Sequence, residues 1–527
     1  MKVSRRTGLK LMGAGATGLF SRGLFAQQQK DEMPPLHPGP FAGTRASLSG
    51  YRIPEWFGEA KFGIWAHWGP QSAIGDGDWY ARNMYIEGSP QYKYHLERFG
   101  PQSKVGYKDL VHLFTADRWD PDALIDLYVK AGAKYFFSMG VHHDNFDLWN
   151  SKYQPRWNAV AKGPGKDVVG IWAAAARKRG LRFGVSEHLS NSYDWWVTSH
   201  LADKEGPYKG IPYDGNASDF ADLYHDYRDE PADFLRTAKP MGRVAPDWWK
   251  LQYTRRVMDL IDQHRPDLLY TDGGIPFEEH GLEAVAELYN LSAGRHGGQV
   301  EAVYDSKIES DCAVGTCLLD RERGVADGIR EQPWQTDTCI GDWHYKRGMK
   351  YKSTKKVIDL LVDIVSKNGN LLLNFPLPAS GELDPDEREV LAGITQWMQT
   401  NSAGIYGTKP WKTFGEGPSL AISAGAGMNE DRKPDLTVED FRFVTKGDDL
   451  YVFAQGVPRH EIVLKSLGRN NTAAGKAIKS IEMLGSHGKL KFKQEDGALR
   501  VTPPDNLPAP AEIGVALRLH FAENALG

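Results

Sequence analysis

From about residue 48 to residue 400, short apolar runs alternate with longer amphipathic segments, and this alternation constrains the fold most. Short continuous apolar runs are typical of buried parallel strands, and the longer segments predict helices. No glycine-rich nucleotide-binding motif follows a strand. The pattern predicts an α/β fold, with a (β/α)8-like TIM barrel favoured over a doubly wound sheet. The predicted strands are Lys61–Trp68, Lys134–Val141, Leu181–Ser186, Asp267–Thr271, Val300–Tyr304, Thr316–Leu319 and Asn370–Phe375, with an ambiguous region at Trp334–Ile340.

Capping residues mark the helices between these strands. Asp120 and Pro121 predict an N-cap and a first-turn proline, and Asp167 predicts a second N-cap. Residues 197–247 form a long polar excursion after the third strand. A loop of that length in a compact domain usually shapes a site or moves.

After about residue 405 the pattern changes to short alternating runs separated by Gly, Asn and Pro, which predicts a C-terminal antiparallel β-sandwich. Its predicted strands are Asp449–Gln455, Ile462–Lys465, Ile478–Leu484, Leu490–Lys493, Ala498–Thr502 and Gly514–Phe521. The predicted organisation is a signal peptide at 1–26, a linker at 27–47, the barrel at 48–404 and the sandwich at 405–527.

The N-terminus has the features of an export signal. Arg5 and Arg6 form a twin arginine, an apolar stretch follows at Leu11–Phe20, and Ala26 offers a small residue for cleavage. The stretch is shorter than the roughly 20 apolar residues of a spanning helix. We therefore predict a periplasmic or secreted protein with no membrane association in its mature form.

Composition limits the possible partners. The formal net charge is −4, which provides no bulk attraction for nucleic acid or anionic lipid. The 16 tryptophans are typical of sugar-binding proteins and equally of a large aromatic core. The three cysteines lack the spacing of a disulfide framework or zinc site, so we expect buried thiols rather than a Cys312–Cys317 bridge. Nothing in the sequence indicates an oligomeric state.

Histidines and carboxylates concentrate where the predicted strands end, which is where barrel enzymes place their active sites. This set comprises His67, Asp78, Trp79, His142, His143, His188 and Asp272. A metal site is disfavoured, because adjacent His142 and His143 would point to opposite sides of a strand. Glycoside hydrolysis suits the set better, since it needs paired carboxyl groups, hydroxyl-binding donors and aromatic rings. Asp272, followed by two glycines, suits the nucleophile.

Four sequence blocks resemble glycoside hydrolase family 29, the α-L-fucosidases. They are W-F-G-E-A-K-F-G-I-W-A-H-W-G at Trp56–Gly69, the H-H-D-x-F ending of Lys134–Phe146, the strand at Pro266–Gly273 and S-K-N-G-N-L-L-L-N-F at Ser366–Phe375. The resemblance covers about residues 50–400, and the trailing sandwich also suits the family. It implies retaining exo-hydrolysis of terminal α-L-fucose from a fucosylated glycan, without a metal or other cofactor.

The resemblance also assigns residues. Asp272 matches the family's nucleophile, and the fucose-contacting positions match His67, Trp79, His142 and His143. The sequence departs from the family pattern at four places. Asp78 stands where Glu is frequent, and Ser186-Glu187-His188 replaces a Tyr pair. Tyr270 replaces a Trp, and Trp334-Gln335-Thr336 replaces W-E-T. We predict that Asp78, His188, Tyr270 and Trp334 also contact substrate.

The general acid/base has three candidates, Glu309, Glu322 and Glu331. Glu322 is favoured because it follows the apolar run Cys317–Leu319 and so would lie at a strand end; its offset before Trp334 also resembles the family. Glu331 is second. The predicted function is therefore an exported retaining α-L-fucosidase. Two alternatives stay open: another exo-glycosidase, acting on a galactose-like sugar or substituted fucose, and a non-catalytic glycan-binding protein on the same fold.

Overall fold

The computed structural model describes residues 32–422, 425, 427–432, 435–471 and 477–521. The twin arginine, the apolar stretch after it and the predicted cleavage site lie outside these residues. Within them, no helix combines the length and apolarity needed to cross a bilayer.

A sheet of parallel strands forms the body of the molecule. Its eight strands in the described chain are β1 (Phe62–Ala66), β2 (Tyr135–Val141), β3 (Arg182–Glu187), β4 (Leu268–Thr271), β5 (Val303–Ser306), β6 (Leu318–Leu319), β7 (Trp334–Cys339) and β8 (Gly369–Asn374). Their spatial order is β6-β5-β4-β3-β2-β1-β8-β7. A parallel bridge between Asp320 and Gln335 joins the two outer strands. The predicted TIM-like barrel is therefore confirmed, and the ambiguous region around Trp334 is a barrel strand.

Helices cover the outside of this sheet. The longer ones are α1 (Pro90–Phe99), α2 (Pro121–Lys130), α3 (Val168–Lys178), α4 (Asp247–His264), α5 (Glu279–Arg295), α6 (Thr354–Ser366) and α7 (Pro385–Asn401). Asp120 caps α2 by accepting a hydrogen bond from the Ala123 amide, and Asp167 caps α3 through Gly170. Shorter helical turns lie at Arg45–Leu48, Glu55–Ala60, Pro70–Ile74, Tyr80–Asn83, Tyr107–Leu110, Ser192–Trp195, Ala221–Tyr224, Phe234–Thr237 and Glu309–Cys312.

The C-terminal part consists of antiparallel strands. These are β9 (Lys409–Glu416), β10 (Phe441–Lys446), β11 (Asp449–Ala454), β12 (Ile462–Leu464), β13 (Ile478–Met483), β14 (Phe492–Gln494), β15 (Leu499–Val501) and β16 (Val515–Phe521). Among the described residues they form two sheets, ordered β13-β16-β11-β10-β9 and β12-β15-β14. The predicted antiparallel domain is present, and the sequence pattern missed β9 and β10.

The segment that the sequence predicts as a linker packs on the barrel in its described part. The His37 amide donates to Glu287 of α5, and the Phe41 amide donates to the side chain of Asn290 in the same helix. The chain therefore already packs against α5 at His37, well before strand β1 begins.

The cysteines differ from the expectation of three thiols. Cys312 and Cys317 form a disulfide with their Cα atoms 4.7 Å apart, while Cys339 is buried and free. The turn between β5 and β6 brings the two residues together across a separation of 5 positions, a closeness that spacing alone did not indicate.

Candidate active site

A cavity of about 360 Å³ opens at the carboxyl ends of the barrel strands. Every substrate-binding or catalytic residue predicted from the sequence lines it, with the exception of Trp334. The full lining comprises Trp65, His67, Asp78, Trp79, His142, His143, His188, Met241, Tyr270, Asp272, Lys307, Glu322, Asp337, Trp343 and Met428. Its size falls within the range of small-molecule sites.

Asp272 follows the last residue of β4, and the turn after it depends on glycine. Gly273 has φ +113°, a conformation that side chains rarely adopt. The guanidinium of Arg243, from the long excursion before α4, donates to the carbonyl oxygens of Asp272 and Gly274 at 2.8 Å and 3.1 Å. A Cβ on Gly273 would lie 1.7 Å from this guanidinium. The turn and Arg243 together orient Asp272 into the cavity.

The Asp272 carboxylate is surrounded by positive and hydrogen-bonding groups. Its Oδ1 lies 2.6 Å from Lys307 Nζ, and its Oδ2 lies 3.3 Å from His143 Nε2 and 3.7 Å from His188 Nδ1. Burial alone would raise the pKa of this carboxyl, but Lys307 and the two imidazoles outweigh burial and hold the pKa well below its usual range. Asp272 is therefore ionised, as a nucleophile must be.

Glu322 lies opposite, three residues beyond β6. Burial raises the pKa of its carboxyl, and the negative charges of Asp337 and Asp272 add to the rise while Lys307 opposes it. Lys307 Nζ lies 2.5 Å from Glu322 Oε2 and 2.6 Å from Asp272 Oδ1, so these distances together limit the separation of the two oxygens to 5.1 Å. The pKa values of the two carboxyl groups in the cavity are thus shifted in opposite directions.

Lys307 is the central residue that the sequence analysis missed. It directly follows β5, and three carboxylates, those of Asp272, Asp337 and Glu322, raise its pKa against the lowering effect of burial. The sequence could have indicated Lys307 only by its position directly after strand β5, where barrel enzymes place their active-site residues. The predicted strand ended at Tyr304 because Asp305 and Ser306 are polar. With that boundary, Lys307 was not recognised as a residue at a strand end.

His142 and His143 both face the cavity, contrary to the expectation that they point to opposite sides. Their ring centroids are 4.4 Å apart. The strand ends at Val141, and its register against β3 is irregular between Met139 and Val141. The two histidines therefore lie on a turn, where the alternation of a strand does not apply.

The pKa values of three cavity histidines, His67, His142 and His188, favour the neutral imidazole. Burial, reinforced by neighbouring imidazoles, lowers the pKa of His67 and His142 well below its usual value. Burial also lowers the pKa of His188 against the raising effect of Asp272. A neutral imidazole offers one donor and one acceptor, which matches the capacity of a sugar hydroxyl.

Aromatic and acidic side chains complete the walls. Asp78 Oδ1 lies 2.5 Å from Nδ1 of His344, a buried residue that the sequence analysis did not single out. Trp79 adopts φ +59° and packs edge-to-face on His143 at 5.9 Å. The Tyr270 hydroxyl donates to Asp337 at 3.0 Å, which holds its ring against the cavity floor.

Three predicted candidates lie elsewhere. Trp334 begins β7, so it lies toward the end of the barrel away from the cavity, and its indole donates to the Lys367 carbonyl at 2.9 Å. Glu331 is exposed, and Glu309 pairs with Arg330 at 2.5 Å on the surface. The structure therefore does not bring Trp334 to substrate, and of the three glutamates it brings Glu322 to Asp272.

Among the described residues, two sets of side chains in or beside this cavity lie close enough to hold a metal ion. One is His142, His143 and His188, and the other combines His142 with Asp78 and His344; within each set the ligand atoms lie within 4.8 Å of one another. The prediction that no metal takes part stays a prediction.

Comparison with known proteins shows which family this chain resembles. A family model described as Alpha-L-fucosidase matches residues 29–403. The chain belongs to the alpha-L-fucosidase family. Tissue alpha-L-fucosidase of Mus musculus is 28% identical over 491 residues, which cover 90% of this chain and 93% of that protein. The tissue alpha-L-fucosidase of Homo sapiens is 26% identical, with 90% of each chain covered.

Solved structures of alpha-L-fucosidases share the fold. The Thermotoga maritima alpha-fucosidase in complex with fucose matches with a TM-score of 0.67 and 27% identity, covering 91% of this chain and 99% of that chain. The resemblance seen in the four sequence blocks is thus confirmed, and family membership identifies the chain as a glycoside hydrolase.

Proposed function

We propose that the mature protein is an exported, retaining exo-glycosidase that hydrolyses terminal α-L-fucosyl residues of glycans. The main support is that Lys307 Nζ bridges Asp272 and Glu322, at 2.6 Å and 2.5 Å from their oxygens. The nearest oxygens of the two carboxyl groups are therefore at most 5.1 Å apart. Retaining pairs lie about 5–5.5 Å apart, whereas inverting pairs need about 6.5–9.5 Å to admit water. The geometry supports the retaining mechanism.

In the first step, the Asp272 carboxylate attacks the anomeric carbon while the bond from that carbon to the leaving oxygen breaks. Glu322 gives its proton to this oxygen, so the aglycone departs as an alcohol and a glycosyl ester remains on Asp272. In the second step, the Glu322 carboxylate removes a proton from water, whose oxygen attacks the anomeric carbon. The ester bond breaks, releasing Asp272 and a sugar of retained configuration.

The choice of fucose rests on the relatives and on the walls of the cavity. A Thermotoga maritima alpha-fucosidase is solved with fucose and a fucosynthase with a fucosylated azide. In this chain, His67, His142 and His188 supply paired donors and acceptors for ring hydroxyls. The ring of Trp79 offers an apolar surface to the C5 methyl group.

Export is supported by two features. The twin arginine at Arg5 and Arg6 matches an export signal. The Cys312–Cys317 disulfide suits the oxidising conditions outside the cytoplasm, where such bonds persist.

The decisive experiment incubates the protein with aryl α-L-fucosides and follows the anomeric signal by proton NMR. We expect release of the aryl group, with α-L-fucose formed before mutarotation. Release from a galactoside but not from the fucoside would move the assignment to another exo-glycosidase. Binding of fucose without any release would identify a glycan-binding protein, and first formation of the β-anomer would exclude retention.

The acid/base assignment has its own test. Glu322→Ala should lower kcat/KM about 10²–10⁴-fold for alkyl fucosides, whose leaving oxygen needs a proton. A dinitrophenyl fucoside, which leaves without protonation, should be affected far less. Glu331→Ala is the matched control, because Glu331 is an exposed glutamate of the same region. Equal loss on both substrates in Glu322→Ala, or discrimination in Glu331→Ala, would remove Glu322 from this role.

A further inference from the structure

A segment of the C-terminal domain reaches the candidate active site. Met428–Glu430 belongs to the connection between β9 and β10, and Met428 lines the cavity. The next two residues are buried polar side chains, with Asn429 1% and Glu430 2% exposed. Burial of an amide and a carboxylate requires partners, and several of those partners belong to the loop that carries Glu322.

The main contacts are made to Arg323 and Val325, the first and third residues after Glu322. The carbonyl oxygen of Arg323 accepts from the amides of Asn429 and Glu430, at 2.9 Å and 3.0 Å. The Asn429 side chain then pairs with both backbone groups of Val325: its Oδ1 accepts from the Val325 amide at 2.8 Å and its Nδ2 donates to the Val325 carbonyl at 3.2 Å. Residues Asn429 and Glu430 of the C-terminal domain thus fix the backbone immediately beyond Glu322.

Arg323 itself has an unusual backbone. Its φ is +45°, in the left-handed region that residues other than glycine rarely occupy. Such a conformation persists only where the surroundings fix it. The Arg323 amide donates to the Asp337 carbonyl of β7 at 2.8 Å, and its carbonyl receives the two amides of the C-terminal domain. The barrel therefore holds one side of this residue and the C-terminal domain holds the other.

The Glu430 carboxylate strengthens the same junction. It accepts from Arg323 Nε at 3.0 Å and from the Thr338 hydroxyl at 2.7 Å, and Lys352 Nζ lies 3.0 Å away. These partners come from the Glu322 loop, from β7 and from the loop after β7. Glu430 does not line the cavity, so any effect on catalysis must pass through the loop that it holds.

We propose that Asn429 and Glu430 are positioning residues for the general acid/base, which makes the C-terminal domain part of the catalytic apparatus. This inference rests on the proposed function, because it needs Glu322 to be the proton donor. Without the two residues, Arg323 relaxes from its left-handed conformation and Glu322 moves away from the leaving oxygen. A displacement of about 1 Å at a reacting group costs up to about 10²-fold in rate.

The test compares Asn429→Ala and Glu430→Gln with the wild-type chain on two fucosides, one with an alkyl and one with a dinitrophenyl leaving group. We expect kcat/KM for the alkyl fucoside to fall about 10- to 100-fold, with the dinitrophenyl fucoside changed by less than about 3-fold. A merely structural role would lower both equally through the fraction of folded enzyme. Two variants are used, and circular dichroism verifies that each is folded.

Asp431→Asn is the matched control. Asp431 follows Glu430 and its side chain is 72% exposed, 3.8 Å from Arg323 Nη2, so both substrates should keep their wild-type values. Glu322→Ala separates the two hypotheses. If Glu322→Ala fails to discriminate between leaving groups, the acid/base assignment within the proposed function is wrong. If it discriminates while neither folded Asn429→Ala nor Glu430→Gln does, the positioning role is overturned.

Discussion

Asp272, Lys307 and Glu322 behave as one electrostatic unit, although the residues come from three different strand ends. Lys307 contacts both carboxylates at 2.6 Å and 2.5 Å. Two imidazoles lower the pKa of Asp272 further, whereas Glu322 faces the charges of Asp337 and Asp272, which raise its pKa. The environment therefore shifts the pKa values of two chemically similar groups in opposite directions, which is the separation that a retaining glycosidase needs.

Removal of the Asp272 carboxylate should abolish the covalent route. We expect Asp272→Ala and Asp272→Gly to lower kcat by about 10⁴-fold or more, with folding retained. Added azide should restore turnover to Asp272→Gly by entering the vacated space and should yield a glycosyl azide of inverted configuration. Turnover assays and NMR of the azide product provide the measurement. Near-normal activity in a folded Asp272→Ala protein would show that another carboxylate is the nucleophile.

Lys307→Met should change the pH profile as well as the rate. Lys307 lowers the pKa of both Asp272 and Glu322, so its removal raises both. In the proposed mechanism, ionisation of Asp272 sets the acid limb of kcat/KM and deprotonation of Glu322 sets the alkaline limb, so both limbs should move to higher pH. We expect a loss of about 10²-fold at the optimum. Exposed Lys350→Met is the control, and an unchanged profile in Lys307→Met would refute this coupling.

At the scale of elements, apolar runs located the strands but misplaced their polar ends. The predicted end of β4 agrees with the structure, and Asp272 follows it as expected. Strand β5 extends through Asp305 and Ser306, which the pattern left out, so Lys307 was missed. Barrel strands become polar toward the cavity because their last residues serve the site. Apolar periodicity is therefore least informative where function lies.

The turn after β4 provides a test at this scale. Gly273→Ala should lower stability by about 1–3 kcal/mol through strain at positive φ, and it should also lower kcat/KM, because its Cβ displaces the Arg243 guanidinium that orients Asp272. Gly180→Ala separates the two effects: Gly180 has φ +73° with open space around its Cβ position and lies before β3. That control should lose stability alone, as measured by chemical unfolding. Equal kcat/KM in both variants would argue against the role of the turn.

At the scale of the molecule, the sequence predicted a barrel followed by an antiparallel domain but not how the two cooperate. Strands β9 and β10 were missed, and with them the connection that places Met428 in the cavity. The contacts of Asn429 with Val325 join residues about a hundred positions apart. Local periodicity carries no information on such pairs, since they form only when the two domains pack.

The proposed export through the twin arginine can be tested on the whole chain. Replacing Arg5 and Arg6 with lysine keeps the charge but removes the guanidinium pair, so the protein should remain in the cytosol. Because reducing conditions there keep thiols free, Cys312 and Cys317 should then both react with an alkylating reagent. In the exported wild-type chain, mass spectrometry should find them protected. Unchanged export of the lysine variant, or reactive thiols in the exported chain, would contradict this route.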